Sequence, residues 1–149
     1  MQILEHQTLI LHNLISYRTK MKREALPAFI RHSLANIGSL GMVPAGRILF
    51  TEDNSQSQNM EVLIPVSQEP AACEEYQNKP IFKLLNAVSA RHEGNLADMD
   101  KIEQRLRAYA NSKAYQIITN PYYSIVRLDP ESPGGAIIDI YLGINANIL

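Results

Sequence analysis

Cysteine is nearly absent: Cys73 is the only one in a chain of 149 residues. One thiol forms no internal disulfide, which excludes a cross-linked secreted scaffold and fits a reducing compartment. It sits in the polar stretch Glu69-Pro-Ala-Ala-Cys-Glu-Glu75, where negative neighbours disfavour the reactive thiolate, so an inert linker cysteine is expected. An excess of either charge is missing too, since 14 basic residues against 15 acidic ones leave a net −1. A protein that grips nucleic acid concentrates Lys and Arg on one surface, so direct nucleic-acid binding is not expected. The densest basic stretch, Arg18-Thr-Lys-Met-Lys-Arg23, reads as a solvated loop or as a contact for an acidic partner. No apolar run approaches the roughly 20 residues that cross a bilayer. The start Met1-Gln-Ile-Leu-Glu-His6 lacks the basic and apolar regions of a secretory signal. A soluble cytoplasmic protein without membrane contact is the expectation.

Chemical motifs are scarce as well. There is no P-loop, no G-x-G-x-x-G and no G-x-S-x-G elbow. His6, His12, His32 and His92 form no pair at helical spacing, so neither a metal nor another cofactor is expected. His92 and Glu93 are adjacent, and adjacent strand residues point to opposite faces, which separates an acid from its base. What is present is ordinary globular composition, 46% apolar and 19% charged, at a length typical of one domain.

Taken in order, Thr8 to Tyr17 is rich in Leu and Ile and reads as a strand. Ala25 to Ile37 places Leu26, Phe29, Ile30, Leu34 and Ile37 on one helical stripe, with Pro27 in the first turn and Gly38 as the stop. Arg47–Thr51 and Met60–Val66 are strands joined by the polar connection 52–59, and Pro65 belongs at an edge or bulge because it cannot donate to a ladder. Residues 68–80 are polar and hold Pro70 and Pro80, so they read as a linker. The pattern then restarts: a strand over Phe82–Arg91, a helix over Asn95–Asn111 with Met99, Ile102, Leu106 and Tyr109 on one face, a strand over Tyr122–Leu128, a turn over 129–135, and a closing strand over Ala136–Ile144.

This restart is a repeat. Leu11, Asn13, Ser16 and Arg18 match Leu84, Asn86, Ser89 and Arg91 at an offset of 73; Asp53 matches Asp129 at 76; Met60-Glu-Val-Leu-Ile matches Ile138-Asp-Ile-Tyr-Leu at 78. The predicted fold is therefore α+β: two strand–helix–strand–strand units, about 7–67 and about 81–145, joined by linker 68–80 within one domain spanning 1–149. Pairing the units into one antiparallel sheet with both helices on one face buries what neither buries alone, and leaves a groove between the helices.

The second half carries a family likeness in Ala90-Arg-His-Glu-Gly94, Asp129-Pro130 and Asp139-Ile-Tyr-Leu-Gly-Ile144. The chain resembles the GyrI-like family, the effector-binding domains of multidrug-responsive regulators. The resemblance implies a non-enzymatic bacterial protein that binds a small organic molecule in the central groove. It also implies a buried glutamate on the strand before the Asp-Pro hairpin, where this chain has Ser124. A serine gives a buried cation no counter-charge, so the expected ligand is neutral or anionic, and the hydrolysis known for some relatives is not expected. With fewer than ten residues ahead of the first strand, a transcriptional role would require a separate partner chain. The alternative reading is a protein-interaction module, chaperone-like or antitoxin-like, without a small ligand.

The offset of 76 equates Ser124 with Ile48 and Val126 with Phe50. Alternation then puts Ile48, Phe50, Tyr122, Ser124 and Val126 on one face, toward the helices, as core residues or as lining of a ligand site. Tyr109 and Tyr141 join them as candidate ligand-binding aromatics, although Tyr141 also suits the opposite face.

Overall fold

A computed structural model describes residues 2–53, 59–129 and 135–145. The expected turn over 129–135 and the polar connection over 52–59 fall largely outside them. Seven strands and two helices succeed one another as β1 (Ile3–Lys20), α1 (Leu26–Ser39), β2 (Leu49–Asp53), β3 (Asn59–Pro65), β4 (Gln77–Gly94), α2 (Met99–Ser112), β5 (Gln116–Ile117), β6 (Tyr122–Arg127) and β7 (Ala136–Asn145). Short 3-10 turns, Arg23–Ala25 and Leu96–Asp98, lead into the helices. Pro27 falls in the first turn of α1, where a missing N–H costs nothing. The Asn95 side chain accepts from the Ala97 N–H at 3.0 Å and caps the second turn. Both 3-10 turns and both helices repeat at an offset of 73.

All strand pairs are antiparallel, in the order β4-β1-β3-β2-β6-β7-β5. β4 pairs with β7 as well as with β1, so six strands close on themselves. The two 18-residue strands make this possible. β1 gives Ile3–Ser16 to β4 and Leu14–Lys20 to β3, while β4 gives Ala87–Gly94 to β7. Register shifts between Leu4 and Leu9 bend β1, and His6 at the bend takes φ 56°. β5, too short to stand out in the sequence, extends the end of β7.

A six-strand ring has no room inside for a helix, so the helices sit outside it. Leu26, Ile30 and Ile37 of α1 and Met99, Leu106 and Ala110 of α2 enter one core with Ile15, Phe50, Val62, Ile64, Val88, Ile138 and Ile140. Phe29 and Leu34 of the expected stripe are only partly buried, and Ser33 takes a buried place among them. The inner face holds a second cluster, Leu14, Leu49, Leu63, Phe82, Leu84 and Ala87, with Tyr122 and Tyr141 packed against it. Among the described residues no helix is long and apolar enough to cross a membrane.

Candidate site between the two helical units

Besides the β1–β4 pairing, the halves of the chain meet where β2 pairs with β6, Leu49 opposite Ser124 and Phe50 opposite Tyr123. Phe50 and Tyr123 face the helices and stack, ring centroids 4.7 Å apart and planes at 22°. They form the floor between α1 and α2. Burial is the main force raising the Tyr123 phenol pKa, and the carboxylates of Glu103 and Glu52 add to it.

Arg23 spans this floor. Its guanidinium lies 5.9 Å from the Tyr123 ring centroid, donates to Glu52 at 2.7 and 3.0 Å and to Asp100 at 2.7 Å, and reaches the Leu96 carbonyl at 3.4 Å. One side chain thus ties the first 3-10 turn to β2, to the second 3-10 turn and to α2. Burial opposes the charge, but the hydrogen bonds to Glu52 and Asp100 outweigh it and raise the guanidinium pKa. The Arg23 side chain is 16% exposed, in contrast to the solvated loop expected for the basic stretch. Beside it opens a cavity of about 540 Å³ whose walls include Arg23, Pro27, Ala28 and Arg31 from the first unit and Leu96 and Ala97 from the second.

The expected lining set does not share one face. Ile48 and Phe50 belong to the helix-side core. Tyr122 belongs to the inner cluster. Ser124, 2% exposed, lies between Leu49 and Asp139 and shares the inner face with Tyr122. Val126, at 37%, is exposed. The cause is parity. The strand register gives β2 and β6 the odd offset of 73, so Phe50 matches Tyr123; the expected 76 is even, and one step of register exchanges the two faces of a strand. Tyr141 is half-buried against the inner cluster. Tyr109 on α2 leaves the groove: its hydroxyl donates to Glu5 at 2.7 Å, the Tyr115 hydroxyl donates to the other oxygen of the same carboxylate, and the Glu5 bond pushes the Tyr109 pKa up to about 12.

Arg23, Glu52, Asp100 and Tyr123 were not anticipated. Carrying the 73-residue offset through to β6 picks out Tyr123 opposite Phe50. Nothing in the local sequence separates Arg23 from its basic neighbours.

The inner face carries a matched pair of carboxylates. Glu61 sits opposite Arg18 and Asp139 opposite Arg91, at equivalent points of the two halves. Arg91 holds Asp139 through Nε at 2.8 Å and Nη2 at 3.1 Å, and Arg47 adds Nη1 at 2.9 Å. Hydrogen bonds from Arg91 are the largest influence and keep the Asp139 carboxyl below the usual range, against burial and with help from Arg47.

No protein-family model matches the chain, and no curated protein matches it. Solved structures do. The chain is similar to the C-terminal domain of EcmrR, with a TM-score of 0.73 and 13% identity over 97% of this chain and 96% of that one. Against the EcmrR chain of the EcmrR–DNA complex the likeness covers 97% of this chain and 56% of that one, so this chain spans about half of that protein. A hydrolase from Listeria innocua is similar at a TM-score of 0.60 and 8% identity, covering 95% and 93%. SAV2435 bound to tetraphenylphosphonium is similar at 0.50 and 13%, covering 97% and 93%. At such identities the shared property is the fold.

Proposed function

We propose that this chain is a non-enzymatic binding protein for a small organic molecule, a GyrI-like effector-binding domain in which two repeats, about 7–67 and about 81–145, are joined by linker 68–80. The observation that carries this reading is the 540 Å³ cavity at the junction of the helical units, in a fold shared with the EcmrR C-terminal domain. Its volume falls within the ~300–1,000 Å³ typical of ligand pockets. The structure of SAV2435 with tetraphenylphosphonium adds support, since that protein, similar in fold, binds a small molecule.

The charges favour a neutral or anionic ligand. The nearby carboxylates of Glu52 and Asp100 are already engaged by Arg23, while Arg31 stands exposed on the cavity wall. An organic anion gains a cation there. Glu24 and Asp129 also line the cavity but are offset by Arg23 and Arg31, so a lipophilic cation meets no net negative charge on its walls. Titration with an aromatic sulfonate and with tetraphenylphosphonium tests this: the sulfonate is expected to bind more tightly, and Arg31→Glu to reverse the order.

A protein-interaction module is the second reading. It is favoured by Ile10, Ile81 and Leu85, 48%, 41% and 66% exposed, which share one face of the β1–β4 ribbon. Ile10→Lys with Leu85→Lys is expected to abolish partner capture under this reading and to leave small-molecule binding intact under the first.

A further inference from the structure

The two halves treat their matched carboxylates differently. On the inner face of each half a strand carboxylate is met by an arginine of the neighbouring strand: Glu61 by Arg18, Asp139 by Arg91. At Asp139 a second guanidinium arrives from the other half of the chain, from Arg47 just ahead of β2. At the offset of 73 the residue equivalent to Arg47, just ahead of β6, is Asn120. An asparagine lacks both the reach and the charge of arginine, and Asn120 lines a cavity of about 660 Å³ together with Glu61, Arg18 and Tyr122.

The carboxylate is held accordingly. Asp139 receives guanidinium donors on both oxygens. Glu61 receives Ser16 Oγ at 2.6 Å and Arg18 Nε at 3.3 Å, both on Oε2. Its side chain is as covered as that of Asp139, each 15% exposed, but its arginine is loose, Arg18 being 70% exposed where Arg91 is 48%. Tyr122, in the place taken by Leu49 in the other half, supplies an aromatic surface, and burial followed by the Glu61 charge raises its phenol pKa. A planar guanidinium is matched by a carboxylate edge for its donor fork and an aromatic ring for its face. Lys20, Glu52 and Asp53 also line the cavity; Lys20 offsets Asp53 in charge, and Glu52 is engaged by Arg23.

We infer that the Glu61 cavity is a second ligand site, for small molecules bearing a guanidinium group, whose headgroup takes at Glu61 the place that Arg47 takes at Asp139. The rest of the ligand lies along Tyr122 and Asn120. This cavity shares no lining residue with the one at Arg23, and the assignment stands or falls independently of it.

Calorimetric titration of the full chain with agmatine and with n-butylamine tests the assignment. Agmatine is expected to bind saturably at one site per chain and more tightly than butylamine, which has a single charged centre and no fork. Glu61→Gln, which keeps size and the Ser16 contact, is expected to weaken agmatine at least about tenfold, the usual scale for losing a charge-assisted bond. Asn120→Arg supplies the missing guanidinium internally and is expected to abolish agmatine binding while leaving the melting temperature unchanged or raised. Absence of saturable agmatine binding overturns the inference. So does butylamine binding as tightly, agmatine binding that is indifferent to Glu61→Gln, or agmatine binding that persists in a folded Asn120→Arg protein.

Discussion

Phe50 and Tyr123 stack across the seam between β2 and β6 with their rings 4.7 Å apart, and they occupy equivalent places in the two halves of the chain. The pair sits where the repeats join, at 0% and 2% exposure. Truncating either ring to alanine is expected to cost about 3–5 kcal/mol, the range for large buried aromatics. Because each ring packs on the other, the double substitution is expected to cost less than the sum. Urea unfolding of the three variants measures both quantities.

The two helices contribute unequally. Leu106 is fully buried, whereas Leu34 only borders the core. Leu106→Ala is expected to cost about 2–5 kcal/mol and Leu34→Ala distinctly less. Equal costs in denaturant melts would contradict the placement of α1.

Gly143 is a packing constraint. A methyl group there would stand 2.6 Å from Thr119 Cγ2 and 2.9 Å from Leu84 Cδ1, and the Gly143 N–H also donates to Thr119 Oγ1 at 2.9 Å. Gly143→Ala is expected to destabilise by about 1–3 kcal/mol through overpacking. A paired Thr119→Ala change, which removes the two nearest atoms, is expected to recover part of that loss, read as a rise in melting temperature over the Gly143→Ala single variant.

Asp139 gives the fold an acid limb. Its folded pKa is depressed by Arg91 and Arg47, so its contribution to stability is fully present above the ordinary carboxyl pKa of about 4 and is lost as pH falls through the lower folded value. Below about pH 4 the wild-type protein is therefore expected to lose stability more steeply than Asp139→Asn. Thermal melts from pH 5 to 2 compare the slopes, and parallel slopes would contradict the pairing.

Much of the architecture was legible in local signals. Apolar spacing marked α1 and α2, Pro27 and Asn95 marked their starts, and the match of Ser16 and Arg18 with Ser89 and Arg91 fixed an offset that both helices obey. The site was less legible. Asp53 and Asp129 lie at or beyond the ends of their strands, where insertions accumulate, so the offset read from them was even and turned Tyr122 and Ser124 toward the wrong face. Closure of the ring depends on β4 pairing with β7 some fifty residues away and on the bend at His6, neither of which leaves a local pattern. Arg23 shares the composition of its exposed neighbours, and only the fold brings Glu52 and Asp100 to it.

The most direct test of the binding reading is fluorescence titration of the folded chain with an anionic anilinonaphthalene sulfonate, beside Ala28→Trp, Arg31→Glu and Glu61→Gln. Ala28 lines the helix-side cavity and is exposed to it, so an indole there is expected to fill the space without disturbing the core. The account predicts saturable binding at one site, lost in Ala28→Trp, at least several-fold weaker in Arg31→Glu, and unchanged in Glu61→Gln. Binding that is absent from the wild-type protein, or equally tight when the cavity is filled, would contradict it.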